Sequence, residues 1–295
     1  MDPIAHVKEI WRYPVKSMGG EQQNSASLTE TGMVGDRLWA VLDADGEIKS
    51  ARQWSKLIQM AARYADSEKP HANAYVESVP NVVISAPGQA EFASRAPNTN
   101  SELGQFLQKD CRLEPLRPAA ATEFFTPPKE RNVANLDVEL DKLEGEGDFD
   151  FSQTPEEIFE ILGQYMTPTG AFYDTFPLHI LSTQSLNYLA RESKADANQK
   201  RFRPNILLDF VDGSADTPEF TLAGKLIRIG ATAIRIRAKT IRCSIPSRPQ
   251  PLLGLEQDPA MTRAMVDLFE RHIGVYASIE AEGDIKIGDP VFVGI

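Results

Sequence analysis

The heptapeptide Thr240-Ile241-Arg242-Cys243-Ser244-Ile245-Pro246 places a thiol and a cation side by side at the end of a predicted strand. The strand is predicted from residues 231–237, where isoleucines alternate with arginines so that each type falls on one face. The proline that ends the heptapeptide excludes a further central strand, because it cannot donate to a sheet ladder. Cys243 therefore lies at a strand mouth, where the regular backbone ends.

The chemistry of Cys243 has two interpretations. Arg242 beside it would favour the thiolate, which is the form that binds a metal or attacks an electrophile. Alternatively, Cys243 is a small buried hydrophobe, as most lone cysteines are. The other cysteine, Cys111, allows at most one disulfide, and neither cysteine belongs to a C-x-x-C pair. The four histidines are too dispersed for a conventional zinc or iron–sulfur site.

The composition is that of an acidic, soluble globular protein. The chain has 295 residues, 42% of them hydrophobic and 25% charged, enough for one large domain or two ordinary ones. Its formal net charge of −11 disfavours a nucleic-acid partner, because binding phosphates needs a basic face. The first residues lack the basic flank and apolar run of a signal peptide, and no stretch reaches about 18 apolar residues. We therefore expect a cytoplasmic protein with no membrane partner.

Short apolar segments separated by turns dominate the chain. Turn signals such as Asp45-Gly46 predict a strand-rich N-terminal domain over residues 1–120, with one of its strands at 74–76. Residues 121–150 are rich first in proline and then in acids, which predicts an acidic linker or excursion. Residues 151–295 form the second predicted domain. The predicted fold class is mixed and β-dominated (α+β), with strands that could close into a barrel and a few peripheral helices.

Two helices of the second domain have clear boundary signals. Thr154 and Pro155 start the first helix, and its predicted buried stripe consists of Ile158, Ile161, Leu162 and Tyr165. Asp258-Pro259 starts the other helix, which is predicted to include His272 and to end at Gly274. On that helix His272 would stabilise the C-terminus rather than act as a catalyst. One last strand is predicted over residues 285–293, and it carries the turn Gly288-Asp289-Pro290.

Two polar groups are candidates for binding an anion. Ser182 and Thr183 precede a predicted helix, where hydroxyls ordinarily cap the helix but can also join free N–H groups in holding a phosphate. Arg201 and Arg203 come just before a predicted strand at residues 206–210. They are either solvated surface charges or part of an anion site, and the residue pattern leaves both alternatives open.

Five short motifs occur in order along the chain: Tyr13-Pro14-Val15-Lys16-Ser17, Gly35-Asp36-Arg37, Arg201-Phe202-Arg203-Pro204-Asn205, Arg242-Cys243 and Ile287-Gly288-Asp289-Pro290-Val291. Together they resemble the MOSC family, the molybdenum-cofactor-sulfurase C-terminal domain, preceded by its N-terminal β-barrel partner. Each motif is weak alone, but five in family order are specific, and they cover nearly the whole chain except residues 136–150. The resemblance implies a MOSC-type β-barrel with an N-terminal β-barrel domain.

The resemblance also implies a cofactor. In the amidoxime-reducing branch of the family, molybdenum is held by two dithiolene sulfurs of a pyranopterin (molybdopterin) and by a cysteine thiolate, which corresponds to Cys243. The cofactor-binding residues that the resemblance implies are Lys16, Ser17, Arg37, Ser182, Thr183, Arg203, Asn205, Arg242 and Cys243. Such cations and a helix N-terminus suit the pterin phosphate, and a soft thiolate suits molybdenum.

The function that the resemblance implies is a molybdenum-dependent reductase. It would remove oxygen from N-hydroxylated or N-oxide small molecules, with electrons from a separate flavin, haem or iron–sulfur protein. One departure concerns the substrate: the branch has a Thr-Thr-Val-Asp-Pro type segment after the ligand cysteine, whereas residues 244–250 here are Ser-Ile-Pro-Ser-Arg-Pro-Gln. Two alternatives stay open, namely a carrier of the cofactor or of sulfur, and a metal-free thiol hydrolase that pairs Cys243 with His179 or His272.

Overall fold

A computed structural model describes residues 2–128, 137 and 140–294. Within these residues the strands are β1 Ala5–Arg12, β2 Glu21–Gln23, β3 Ser25–Thr29, β4 Gly32–Met33, β5 Trp39–Asp43, β6 Ala61–Tyr64, β7 Val82–Ser85, β8 Phe92–Ala93, β9 Cys111–Pro115, β10 Leu178–Ser182, β11 Ile206–Phe210, β12 Leu226–Ile229, β13 Thr232–Ile241, β14 His272–Ala281, β15 Gly283–Lys286 and β16 Pro290–Val293. The α-helices are α1 Thr99–Leu107, α2 Thr122–Phe125, α3 Glu156–Gln164, α4 Thr183–Glu192 and α5 Met261–Phe269. None of these helices is both long and apolar enough to span a bilayer.

Seven strands close into a barrel. Their order is β11, β10, β14, β13, β12, β16 and β1, and β1 pairs back to β11. β10 and β11 are parallel, and the other neighbours are antiparallel. The barrel core is filled by branched side chains that include Val7, Ile180, Ile206, Ile234, Ile236 and Val275. The β-dominated fold and its barrel are thus confirmed, and the isoleucines of residues 231–237 belong to its core.

The N-terminal part of the chain contributes to the barrel and also forms smaller sheets. β1 is a barrel strand, and β3 pairs with β15 near the other end of the chain. β5 pairs with β9, and β6, β7 and β8 form a third sheet. A core that includes Trp39, Val41, Ile58 and Ile84 unites these two sheets with α1. The domain bounds at residues 120 and 151 stay a prediction, but strand pairing connects the two sides in both β1 and β3.

The last helix ends earlier than predicted. α5 ends at Phe269, because Glu270 and Arg271 both take left-handed backbone with φ of 51° and 67°. His272 therefore begins β14 instead of lying on the helix, and Gly274 lies inside that strand. A left-handed residue that ends a helix is usually glycine, which a sequence shows directly. Here it is Glu270 and Arg271, so the sequence does not mark the end of the helix.

Two strand predictions also change. Residues 74–76 form no strand, because Val76 starts a 3₁₀ turn over Val76–Ser78. The predicted turn at Gly288-Asp289-Pro290 separates two strands, β15 and β16, and Gly288 has a φ of 90° there. Glycine adopts this left-handed backbone without steric cost, so the predicted single strand is two strands joined at that turn.

Residues 140–153 pack along the ends of β13 and β14. Arg271, only 2% exposed, forms an ion pair with Glu146 at 2.7 Å. Its guanidinium also donates to the carbonyl oxygens of Leu140 and Asp141, at 3.0 and 2.8 Å. This part of the predicted linker is therefore held against the barrel. Residues 129–136, 138 and 139 of the predicted linker lie outside the described residues.

The apolar stripe of α3 is predicted to be buried, but most of it lies outside the core. The helix begins at Glu156, and Ile158 is the one buried member of the four-residue stripe. The other three are half-buried, and Phe159 is 42% exposed. This helix lies beside a cavity, so part of its apolar surface remains uncovered.

Candidate functional site

A cavity of about 250 Å³ brings most of the predicted site residues together. Six of the nine predicted residues line it: Lys16, Ser17, Arg37, Arg203, Arg242 and Cys243. They come from the turn after β1, the turn before β5, the turn before β11 and the segment after β13. Motifs that are far apart in the chain therefore meet at one mouth of the barrel.

The cavity concentrates positive charge in an acidic protein. Among the described residues, its ionised lining has six cations and one acid, namely Lys16, Arg37, Arg52, Arg203, Lys239, Arg242 and Asp174. The chain as a whole carries a formal charge of −11. A recess lined by one sign of charge attracts the opposite sign, so the cavity favours an anionic ligand.

Lys16 and Asp174 form a pair in this lining. Lys16 is buried, and its Nζ donates to Asp174 Oδ1 at 2.5 Å and to the carbonyl oxygen of Phe172 at 2.8 Å. Burial lowers the pKa of Lys16, and the Asp174 carboxylate opposes that shift. Burial alone would raise the pKa of Asp174, but Lys16 and two arginines outweigh it and hold that pKa below its usual value. Asp174 is therefore ionised at neutral pH, with 50% of its side chain exposed.

Three of the predicted residues share an unusual backbone conformation. Ser17, Arg37 and Arg203 have φ of 68°, 52° and 56°, in the left-handed region that non-glycine residues seldom adopt. Hydrogen bonds hold two of these turns: Ser17 Oγ accepts from the backbone N of Ala51 at 3.0 Å, and the backbone N of Arg37 donates to the carbonyl of Tyr13 at 2.7 Å. Strained residues of this kind cluster at functional sites. Their convergence on one cavity is thus independent support for a site.

Asn205 lies behind the cavity rather than in its lining. Its side-chain nitrogen donates to Asp36 Oδ2 at 3.1 Å and to the carbonyl of Trp11 at 3.3 Å. Its side-chain oxygen accepts from the backbone N of His179 at 3.2 Å. Asp36 in turn forms an ion pair with Arg37. The amide of Asn205 therefore positions Arg37 through Asp36 and does not face the cavity itself.

Ser182 and Thr183 also lie outside the cavity lining. Ser182 caps α4 by accepting from the backbone N of Ser185 at 3.0 Å, and its hydroxyl donates to Glu219 at 2.5 Å. Thr183 donates to Asp209 at 2.8 Å. Of the two interpretations of these hydroxyls, the structure matches the helix cap and does not bring them to the cluster of cations.

Aromatic rings pack against two of the cations. The Arg203 guanidinium lies 4.2 Å from the centroid of the Tyr13 ring. Arg242 donates to the carbonyl oxygen of Phe202 at 2.9 Å and lies 5.8 Å from its ring centroid. Burial and the neighbouring Arg37 lower the pKa of Arg203 to about 10, so that residue stays cationic at neutral pH. Both guanidinium groups are thus charged and fixed in orientation.

Cys243 is a half-buried free thiol in the same lining. β13 ends two residues before it, and a 3₁₀ turn over Ile245–Ser247 follows. The backbone N of Arg242 donates to the carbonyl of Arg271 at 2.8 Å, which holds this segment against the start of β14. The thiol therefore lies at a strand mouth as predicted, and it is not a core residue.

His179 is a neutral ring in the cavity lining. Its Nε2 lies 3.2 Å from the carbonyl oxygen of Ile273. Burial, together with the Arg242 charge, lowers the pKa of His179 to about 3. Gly274 makes the close approach of this ring possible, because a Cβ there would lie 2.3 Å from Nε2. An imidazole with so low a pKa is a weak base.

The two histidines give no support to a thiol hydrolase. The His272 ring contacts the carbonyl oxygen of Asp150 at 3.3 Å, and the His179 ring contacts a carbonyl as well. In the described part of the chain, neither ring makes a hydrogen bond with Cys243. A nucleophilic thiol needs a base within hydrogen-bond reach, and this pairing is not formed.

Six polar residues of the lining belong to none of the motifs found in the sequence: Arg52, Tyr173, Asp174, Thr175, Lys239 and Tyr276. Arg52 and Asp174 lie in irregular segments, where no periodic pattern predicts direction. Lys239 lies on β13 and is the residue directly before the heptapeptide. Only the tertiary fold brings them to the cavity.

Family models match both halves of the chain. Residues 4–127 match the MOSC N-terminal beta barrel domain, and residues 167–292 match the MOSC domain. The chain belongs to the MOSC family. Residues 128–166 of this MOSC protein lie between the two matches, and they include α3 and the segment held by Arg271.

Known relatives extend over almost the whole MOSC chain. Mitochondrial amidoxime reducing component 2 of Homo sapiens is 24% identical over 319 residues, which cover 99% of this chain and 84% of the relative. The Bos taurus protein of the same name is 25% identical over 315 residues, with the same two coverages. Among solved structures, the YUAD protein of Bacillus subtilis is 12% identical and has a TM-score of 0.44, with 97% of this chain and 93% of that chain covered.

Proposed function

We propose that this MOSC protein is a molybdenum-dependent oxidoreductase that removes oxygen from N-hydroxylated or N-oxide small molecules, with Cys243 as the protein ligand of the metal. The convergence of Cys243 with Lys16, Arg37, Arg203 and Arg242 in one cavity is the observation that carries the proposal. The relatives named for amidoxime reduction support the reaction class. Membership of the MOSC family supports the cofactor class.

The residues of the cavity fit a molybdenum that is carried by a pterin with a terminal phosphate. A thiolate is a soft donor of the kind that such a metal prefers, and Cys243 can provide it. Lys16, Arg203 and Arg242 would bind the phosphate and the pterin through charge-assisted hydrogen bonds. Within the described residues, no group of three or more His, Cys, Asp or Glu side chains is placed to hold a metal. Ser182 and Thr183 have no part in the proposal, because their hydroxyls bond elsewhere.

The protein's own residues supply binding and orientation. When bound, the molybdenum supplies the two-electron chemistry by which an N–O bond is reduced. Reduction of an amidoxime also consumes two protons and releases water. Solvent can supply these protons at the open edge of the cavity, because the lowered pKa of the half-exposed Asp174 makes its carboxylate a poor proton carrier at neutral pH. Lys16 Nζ donates to that carboxylate and fixes it at the edge of the cavity.

The proposed reaction also needs an electron donor, and the protein needs a cellular location that matches it. We propose a separate flavin, haem or iron–sulfur protein as the donor, since a chain with two cysteines cannot hold an iron–sulfur cluster of the four-cysteine type. The cytoplasmic location expected from the sequence stays a prediction, and the names of the relatives place those proteins in mitochondria.

Replacement of Cys243 by serine is the central test. Serine keeps the volume but replaces a soft sulfur by a poor donor, so reduction of a simple amidoxime should fall to background. X-ray absorption at the molybdenum edge should count three sulfur neighbours in the wild type and two in Cys243→Ser. The pterin content should remain, because the cations that bind it are unchanged.

Cys111→Ser is the matched control for that test. Cys111 is buried on β9, and burial raises the pKa of its thiol to about 11, so it is an inert core thiol. Its replacement should leave sulfur count and activity unchanged. An unchanged sulfur count in Cys243→Ser would refute the ligand assignment. Wild-type protein with one molybdenum and one pterin per chain, but no reductase activity, would instead favour the carrier.

A further inference from the structure

The part of the chain outside both family matches builds one side of the cavity. The side chains of Leu140, Phe151, Ile158, Phe159 and Leu162 belong to the lining, and we call them the apolar wall. All five lie within residues 128–166, between the MOSC N-terminal match and the MOSC match. The polar residues that we propose for the cofactor all lie inside the matched ranges. The cavity is therefore composed of residues inside the two family matches and of residues between them.

We propose that the apolar wall selects the substrate. It takes the apolar or aromatic body of an N-hydroxylated molecule whose N–O group points toward Cys243. The inference rests on the function proposed above, and it adds the substrate class and the residues that set it. The cations of the cavity suit an anionic cofactor. The apolar wall has no donor for a phosphate, and only the burial of apolar surface against it is favourable.

One member of the apolar wall has an uncovered ring, which indicates a missing partner. Phe159 is 42% exposed although it lies on a helix whose neighbouring residue Ile158 is buried. The Phe151 and Phe159 rings meet edge to face with centroids 5.5 Å apart, and the Phe149 ring follows at 6.2 Å. A further ring can extend such a row, because aromatic pairs are favourable in edge-to-face and offset geometry. A substrate with an aromatic body would bury this surface.

The apolar wall is held in a fixed position relative to the thiol. Arg271 donates to the carbonyls of Leu140 and Asp141, and it also donates to the carbonyl of Arg242 at 3.3 Å. Arg242 is the residue before Cys243. One buried guanidinium therefore connects residues 140 and 141, which lie between the two family matches, to the backbone beside the proposed metal ligand.

The segment after Cys243 meets the same part of the chain. Ser244 donates to the Asp141 carboxylate, and Arg248 approaches that carboxylate at 3.4 Å. Residues 244–250 are those that depart from the amidoxime-reducing pattern. Ile245, within that departure, also lines the cavity. These two segments are thus in contact and form part of the cavity surface together.

The test compares two amidoximes that share the reacting group and differ in the body. Phe159→Ala should raise the KM for benzamidoxime about fivefold to tenfold, the loss expected for one aromatic contact. The KM for acetamidoxime and both kcat values should stay unchanged. Glu160→Ala is the matched control, because Glu160 is the exposed next residue of α3 and does not line the cavity.

A second variant adds bulk instead of removing it. Gly163 lines the cavity, and a Cβ built there meets nothing within 4 Å, so Gly163→Leu adds bulk to the lining at a position where the side chain starts in open space. It should lower kcat/KM for benzamidoxime more than for acetamidoxime. This variant keeps the inference testable if Phe159→Ala does not fold.

A binding measurement separates the inference from the proposed function. Oxidised protein without an electron donor cannot turn over, so calorimetric titration reports the Kd of benzamidoxime alone. Weaker binding to Phe159→Ala together with no turnover by the wild type would support the apolar wall and refute the reductase. Equal changes for both amidoximes, or no change, would overturn the inference. Loss of molybdenum from Phe159→Ala at unchanged KM would also overturn it, since the wall would then bind the cofactor.

Discussion

Arg271 is a cation that is almost completely withdrawn from water between α5 and β14. Its partners are the Glu146 carboxylate and three carbonyl oxygens, so the charge is fully hydrogen-bonded. Removal of one member of a buried ion pair leaves the other charge without compensation, which costs more than the pair itself contributes. This residue therefore determines whether the segment that carries the apolar wall stays in place.

We expect Arg271→Ala to lower the free energy of unfolding by about 3–5 kcal/mol, as loss of one partner of a buried pair does. Urea denaturation would measure it. Arg235→Ala is the control, because the Arg235–Glu280 pair at 2.8 Å lies at the surface, where solvent screening leaves such a pair little effect on stability. Similar losses in the two variants would show that burial of the Arg271 pair has no special weight.

At the scale of elements, the contact between β10 and β14 makes stability depend on pH. The His179 ring of β10 packs where Gly274 leaves room in β14. Its pKa is about 3 in the folded chain and 6.5 ordinarily, so the unfolded chain binds the additional proton between these values. Stability therefore rises with pH in that range and is lost as the pH falls.

His179→Gln should flatten this dependence. In the wild type, the free energy of unfolding should fall by up to about 1.4 kcal/mol per pH unit as the pH decreases below 6.5, which is the linkage slope for one proton. The variant should lose that part of the slope, as followed by urea unfolding at several pH values. His6→Gln, on the exposed side of β1, should behave like the wild type. A wild-type slope that persists in His179→Gln would contradict the assignment.

The elements that the sequence predicts well are those with a local pattern. Residues 231–237 alternate so regularly that their strand and its inner face are both correct. The stripe of α3 is recognised too, but periodicity cannot tell a core from a cavity, so its surroundings are predicted wrongly. The end of α5 is missed because left-handed Glu270 and Arg271 are set by tertiary contacts, not by a glycine.

At the scale of the molecule, β1 completes the barrel. It pairs with β11 on one side and with β16 on the other, so residues near the N-terminus join two strands of the C-terminal half. A barrel without that strand has two open edges with unpaired backbone groups. The barrel is thus not contained in either half of the chain.

A fragment of residues 151–295 should therefore fail to fold cooperatively. We expect low solubility and no sharp urea transition, whereas the intact chain should unfold in one. Circular dichroism during urea denaturation records the transition of the fragment and that of the intact chain. A fragment that unfolds as sharply as the intact protein would show that β1 is dispensable for the barrel.

The same scale explains which site residues the sequence can predict. Lys16, Arg37 and Cys243 belong to motifs of the family resemblance, and they meet in the cavity. Asn205 belongs to such a motif but lies behind the cavity, which a linear pattern cannot reveal. Asp174 has no pattern at all, because its position depends on the packing of an irregular segment against Lys16.

The left-handed turns at Ser17, Arg37 and Arg203 have one further consequence. Each costs on the order of 1–3 kcal/mol of backbone strain, and the folded chain bears that cost with hydrogen bonds of its own. Rigid groups that already have their bound conformation lose little entropy when a ligand arrives. Insertion of the proposed cofactor would therefore follow folding, and the protein without it should already be a fully folded acceptor.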